Sequence, residues 1–146
     1  MWSYISHCFL LLFLCNHVTN TRQIPFDTIV PPYFEGRFSN GPVWIEKLGV
    51  SNIKNYAYGG AATDNDFIQG YTASDTIPVP GVRQQIKIYF NQTNITTVNS
   101  MRTLHVIRAG GNDYYANKTI SPSRVIASIL NCVKDLFEIG VKHILI

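Results

Sequence analysis

Charged side chains are scarce in this 146-residue sequence. They make up 14% of it, against about 25% in typical soluble domains. The basic residues are scattered singly and the net charge is only +3, so the sequence does not favour a nucleic-acid-binding protein. Long apolar runs are also missing. The run from Cys8 to Cys15 falls far short of the roughly 20 residues that cross a bilayer, so we expect no stable membrane span.

Internal repeats, low-complexity tracts, glycine-rich phosphate-binding patterns and metal-ligand spacings are absent as well. We therefore expect no cofactor and no metal. The length suits one domain, and 46% hydrophobic residues suffice for a core.

The N-terminus resembles a signal peptide. No charged residue precedes Arg22, and a short apolar run fills Cys8–Cys15. The sequence predicts a leader over residues 1–21, a domain over 22–146 and a secreted protein. The alternatives are an internal strand, a mis-started coding sequence, or an uncleaved leader that anchors the protein at a lipid surface.

Three glycosylation acceptor sequences support secretion, and they begin at Asn91, Asn94 and Asn117. Without the leader, Cys132 is the one cysteine left, which excludes an intrachain disulfide. Cys132 lies in a helical pattern, which favours a packing role over a nucleophilic one.

Hydrophobic periodicity predicts strand, helix, strand, long helix and strand in that order. The ranges are Lys54–Tyr58, a helix from Val82, Thr103–Ile107, Pro122–Ile139 and Val141–Ile146. This order predicts an α/β fold with a parallel sheet, and the last strand stops so abruptly that we expect a truncated domain.

The long helix has the clearest signals. Ser121 is placed to cap it, Pro122 suits its first position and Gly140 its end. Its predicted apolar face is Ile126, Ile129, Leu130, Val133, Leu136 and Phe137. The loop after the first strand is expected to run over residues 63–80.

Two glycine-rich turns follow the predicted strands, at Gly59-Gly60 and Gly110-Gly111. Ligands of parallel sheets bind beyond the carboxyl ends of the strands, so both turns should lie on one rim. Glycine lets the backbone approach a ligand closely, and Asn112 adds an amide donor. Two such donors suit the negative oxygen of an acyl-transfer intermediate.

The sequence also resembles the SGNH/GDSL esterase–lipase family, most closely its secreted fungal and haemolysin-like members. Three blocks carry the resemblance, in order: residues 36–44, residues 55–61 and Gly110-Gly111-Asn112-Asp113. It implies a partial flavodoxin-like α/β/α sandwich and a carboxylic ester hydrolase with a serine nucleophile. It also implies an oxyanion hole in which Gly60 and Asn112 are donors, with Gly59 as the alternative glycine.

Two blocks of that family are absent from these 146 residues. No Gly-Asp-Ser occurs, so neither Ser3 nor Ser6 is assigned as nucleophile, and no Asp-x-x-His occurs. We therefore expect this chain alone to be inactive. His105 is expected to be a hydrogen-bonded core residue, and Asp135 and Glu138 are expected to be solvated. Asp64 and Asp66 follow Gly60 and are interpreted as polar loop residues, with a place flanking the cleft as the alternative.

Two functions follow from these observations. The first is part of a secreted hydrolase of lipid acyl esters or acetylated carbohydrates, acting through serine acyl transfer. The alternative is a non-catalytic, degenerate relative that binds an ester or sugar ligand.

Overall fold

The structure is a computed structural model, and it describes residues 9–14, 34, 39–50, 52–72 and 77–146. Within these residues the fold is mixed α/β, with a parallel sheet as the sequence predicted.

The strands of the main sheet are β1 Phe9–Leu14, β2 Asn52–Asn55, β5 Thr103–Arg108 and β6 His143–Leu145. Among the described residues these four strands are parallel, in the order β2-β1-β5-β6. A short antiparallel ribbon, β3 Gly70–Thr72 with β4 Ile77–Val79, interrupts the predicted loop over 63–80. Parallel pairing brings the carboxyl ends of β2, β1 and β5 to one edge, which positions the candidate site.

Strand β1 lies inside the segment predicted as a leader. Phe9 is in register with Asn52 on one side and with Thr103 on the other, so β1 is an interior strand of the sheet. This arrangement agrees with an internal strand, which the sequence offered as an alternative to the leader. Removal of residues 1–21 as a leader stays a prediction.

The α-helices in the part of the chain that the structure describes are α1 Val82–Gln92, α2 Gly111–Ala116 and α3 Pro122–Glu138. The core between α1, β5 and α3 contains Val82, Ile86, Tyr89, Ile107, Cys132, Leu136 and Val141. A second cluster forms where a 3-10 turn at Trp44–Leu48 packs toward β5, through Val43, Ile45, Ala57 and Val106. These clusters hold the rim segments on a packed base.

Helix α3 begins where the sequence predicted, but it is rotated. Its buried residues are Val125, Ser128, Cys132 and Leu136, whereas Ile126, Leu130 and Phe137 of the predicted face are exposed. Small side chains such as Ser128 and Cys132 on the buried side permit close packing of the helix. The Ser121 hydroxyl does not cap the helix, and its Oγ lies 3.1 Å from Ser123 Oγ.

Candidate functional site

The two glycine turns meet at the carboxyl edge of the sheet. Gly60 follows β2 and Gly110 follows β5, and β1 lies between these two strands. Both glycines have left-handed backbone conformations, with φ of +81° and +104°. L-residues avoid this region, so glycine is required for both turns.

The first turn is held by close backbone packing. Ala61 N donates to Tyr58 O at 3.3 Å and closes the turn around Gly59 and Gly60. Gly70 of β3 packs against the same turn, where a Cβ would lie 2.5 Å from Gly60 O. The β3–β4 ribbon therefore packs against the Gly60 turn and supports it.

Asn112 joins the second turn to the first. It lies in the first turn of α2, and its Nδ2 donates to Ala61 O at 2.8 Å, next to Gly60. The predicted proximity of Gly60 and Asn112 is therefore present in the structure. Their roles as oxyanion donors stay a prediction.

Asp113 is a site residue that the sequence analysis passed over. Its carboxylate is fully buried and accepts hydrogen bonds from Thr63 N, at 3.2 and 3.1 Å, and from Thr63 Oγ1. Burial raises the pKa of Asp113, although the Thr63 hydrogen bonds oppose the shift. In the sequence, the one indication for Asp113 is its position next to Asn112. Its hydrogen-bond partner Thr63 lies 50 residues earlier, and the sequence pattern does not indicate that contact.

Asp64, which follows the Gly60 turn, belongs to a network of ion pairs. Arg83 Nη1 of α1 lies 3.1 Å from Asp64 Oδ2, and Arg83 Nε lies 2.7 Å from Asp135 Oδ2 of α3. Burial of Asp64 would raise its pKa, but hydrogen bonds from Gln84, from the Asp66 backbone and from Arg83 outweigh it and lower the pKa. The expectation that Asp135 is solvated was wrong, because α1 places the Arg83 guanidinium between it and Asp64, whereas Glu138 is exposed as expected. Asp64 was expected to be a polar loop residue, but it is buried and ion-paired.

Cys132 and His105 are both core residues, as predicted. Cys132 is buried with Sγ 3.7 Å from Thr63 O, and burial raises its thiol pKa to about 12, which opposes thiolate chemistry. His105 is buried in β5 with Nε2 3.3 Å from Tyr89 Oη, and burial lowers its pKa to about 4.

The candidate nucleophiles Ser3 and Ser6 lie outside the described residues. In the part of the chain that the structure describes, no three His, Cys, Asp or Glu side chains are grouped as metal ligands. Among the same residues, no helix has the length and apolarity of a membrane span.

The three predicted glycosylation asparagines are all exposed. Asn91 lies at the end of α1, while Asn94 and Asn117 lie in turns. In both turns the asparagine Oδ1 accepts a hydrogen bond from the hydroxyl of the sequon threonine. Thr96 Oγ1 donates to Asn94 Oδ1 at 2.7 Å, and Thr119 Oγ1 donates to Asn117 Oδ1 at 2.8 Å.

The chain is 32% identical over 126 residues to a phosphatidylcholine-sterol acyltransferase of Aeromonas hydrophila. The match covers 80% of this chain and 35% of that enzyme, so the chain spans about a third of the length of the curated relative it matches. No protein-family profile matches the sequence.

Proposed function

We propose that this chain supplies the oxyanion-binding half of an SGNH/GDSL-type ester-acting enzyme, a hydrolase or acyltransferase, with a three-layer α/β/α sandwich. The observation that carries the proposal is the 2.8 Å hydrogen bond from Asn112 Nδ2 to Ala61 O, beside Gly60. It fixes an amide side chain and a glycine turn at one edge of a parallel sheet.

The chemistry follows from that pairing. When an ester carbonyl is attacked, its oxygen becomes negative, and preorganised N–H donors stabilise it more than they stabilise the ground state. The Gly60 N–H and the Asn112 amide would be those donors. The acyltransferase relative supports an acyl ester as the reacting group, and its name specifies phosphatidylcholine, which favours a lipid ester over an acetylated carbohydrate.

The nucleophile would have to reach a point between the two turns. Strand β1 ends at Leu14 between β2 and β5, so a residue at its carboxyl end is in the right place. The sequence there reads Phe13-Leu14-Cys15-Asn16 and contains no serine. We therefore expect no ester turnover from these 146 residues alone. Secretion, glycosylation at Asn91, Asn94 and Asn117, and a leader over residues 1–21 belong to the same proposal.

A carboxylate titration tests the oxyanion site without requiring catalysis. Butyrate carries the charge and shape of a cleaved acyl group. In ¹⁵N-labelled protein, we expect the Gly60 amide and the Asn112 side-chain amide to shift with one shared dissociation constant. Exposed Asn99 is the control signal and should not move.

Asn112→Ala should abolish the Gly60 shift. Different dissociation constants for Gly60 and Asn112, or no shift of either, would overturn the oxyanion assignment. In parallel, the unmodified chain should hydrolyse p-nitrophenyl acetate no faster than the Asn112→Ala variant does. Clear turnover by the unmodified chain would contradict its predicted inactivity.

The alternative, a non-catalytic relative that binds an ester or sugar, is supported by the missing Gly-Asp-Ser and Asp-x-x-His blocks. The flanking genomic sequence discriminates the two. Exons that encode these blocks in frame would support the enzyme, and mature transcripts with intact start and stop signals would support the non-catalytic protein.

A further inference from the structure

A cavity of about 470 Å³ lies between the segment that follows the Asp64 turn and the segment that follows α2. One wall comes from Phe67 and Ile68, which follow the Asp64 turn. The other wall comes from the connection between α2 and α3, including Asn117, and from Arg124 in the first turn of α3. Among the residues that the structure describes, none that lines the cavity carries a carboxylate.

The cavity is built on the same two segments as the oxyanion site. Phe67 N and Ile68 N donate to Asp64 O at 3.0 and 2.8 Å, directly after the Thr63 contact with Asp113. On the other side, Asn117 N donates to Asp113 O at 2.9 Å and ends α2.

The spacing between the two places follows from α2. At 1.5 Å per helical residue, Asn117 lies about 8 Å along α2 from Asn112. A single small lipid could therefore span both places.

Arg124 gives the cavity its charge. Its Cζ lies 4.6 Å from the centre of the Phe67 ring, a cation–π contact that holds the guanidinium at the wall. Within the described ranges no ion pair involves Arg124, in contrast to Arg83 with its two carboxylates. A guanidinium held in this way presents a fork of N–H donors that matches two oxygens of one anion.

The polar side of the cavity adds a second donor. Asn117 Oδ1 already accepts from Thr119 N at 3.0 Å and from Thr119 Oγ1 at 2.8 Å. The acceptor end of the Asn117 amide is thereby fixed in the turn, and its –NH₂ group points the other way from these contacts. Thr119 and Ser121 also line the polar side, and the apolar lining is Phe67, Ile68 and Ile120.

We propose that, in protein whose Asn117 carries no glycan, this cavity binds a phosphoester anion, with Arg124 as its charged anchor and the apolar wall against the adjoining carbon chain. The inference rests on the proposed function, because it makes the cavity the headgroup subsite of a phospholipid whose ester reaches Gly60 and Asn112. The same phosphate chemistry could come from inorganic phosphate, and the test separates the two sources.

The experiment titrates unglycosylated protein, so that Asn117 is bare, with glycerophosphocholine, inorganic phosphate and uncharged glycerol. Binding is followed by amide shifts in ¹⁵N-labelled protein. We expect glycerophosphocholine to shift the Phe67, Ile68 and Ile120 signals, inorganic phosphate to bind several-fold more weakly, and glycerol not to bind.

Arg124→Gln should weaken glycerophosphocholine binding about tenfold, the usual effect of losing a charge-assisted hydrogen bond. Lys142→Gln is the control, since it removes one positive charge from an exposed residue just before β6, and it should stay within about twofold. Thermal unfolding of both variants checks that a loss of binding does not come from loss of the fold.

Equal losses in the two variants would show non-specific attraction and overturn the subsite. Inorganic phosphate binding as tightly as glycerophosphocholine would overturn the lipid-headgroup assignment. The butyrate titration in the same samples separates this proposal from the previous one. Loss of phosphoester binding in Arg124→Gln with the Gly60 and Asn112 shifts intact supports the subsite, whereas absent butyrate shifts count against the oxyanion site alone.

Discussion

The carboxylate of Asp113 accepts hydrogen bonds from both the backbone N–H and the hydroxyl of Thr63, although the two residues are 50 positions apart. Both residues are buried. Thr63 follows the Gly60 turn and Asp113 follows Asn112, so this contact and the Asn112–Ala61 hydrogen bond join the two turns. The geometry of the candidate oxyanion hole depends on it.

Thr63→Val should destabilise the protein by about 1–3 kcal/mol, because it removes a hydroxyl donor and leaves a buried carboxylate oxygen under-bonded. Urea unfolding measures the loss. Thr63→Ser keeps the hydroxyl and should restore most of the stability and the coupled butyrate shifts of Gly60 and Asn112. If valine and serine variants were equally stable, the hydroxyl contact would be unimportant.

Gly70→Ala should displace the Gly60 turn. The added Cβ would lie 2.5 Å from Gly60 O and 2.6 Å from Ala62 N, and backbone atoms cannot move aside cheaply. We expect a loss of about 1–3 kcal/mol, typical of overpacking, together with weaker butyrate binding. Gly41→Ala is the control, since a Cβ there meets nothing within 4 Å. Unchanged butyrate binding in Gly70→Ala would show that β3 does not support the turn.

His105 should make stability fall in acid. Burial lowers its pKa to about 4 from an ordinary value of 6.5. Between these pH values the unfolded state binds a proton that the folded state does not. Stability from this group is therefore complete above pH 6.5 and is lost as the pH falls toward 4, by up to about 3 kcal/mol.

Urea unfolding of His105→Gln at several pH values checks this. In that variant, the free energy of unfolding should lose the His105 contribution to its fall between pH 6.5 and 4. His143→Gln changes an exposed histidine and serves as control. An identical slope in the His105 variant and the unmodified chain would contradict the assignment.

Strand β1 should be necessary for cooperative folding. Deletion of residues 1–21 removes the strand that pairs with both β2 and β5, so that β2 would lose β1 as its parallel partner and β5 would keep only β6. We expect broad, non-cooperative thermal unfolding of 22–146, and a sharp transition in a variant that lacks only residues 1–7. A sharp transition in 22–146 would instead favour the predicted leader.

Much of the architecture could be predicted from local pattern. The strand at Thr103–Arg108 and the helix at Pro122–Glu138 lie where periodicity and end signals placed them. The first predicted strand, Lys54–Tyr58, was displaced and is β2 at Asn52–Asn55. Helix α2 and the β3–β4 ribbon were not predicted, because segments of three to six residues carry too little periodicity.

The candidate site was predicted in part. Gly60 and Asn112 were chosen from their motifs and lie together, whereas Asp113 was not chosen and the buried role of Asp64 was misjudged. A carboxylate's environment depends on partners far along the chain, such as Thr63 for Asp113 and Arg83 for Asp64. Sequence spacing does not report such contacts.

The sequence by itself determined the two glycine turns, the parallel order of the elements and the amide beside the second turn, because each depends on neighbouring residues. Only the tertiary structure decided that Phe9–Leu14 stands as an interior strand, that α3 buries its small side chains, and that Thr63 holds Asp113. These features depend on which surfaces pack against each other. The sequence shows which residues are apolar or polar, but it does not show which residues they contact in the fold.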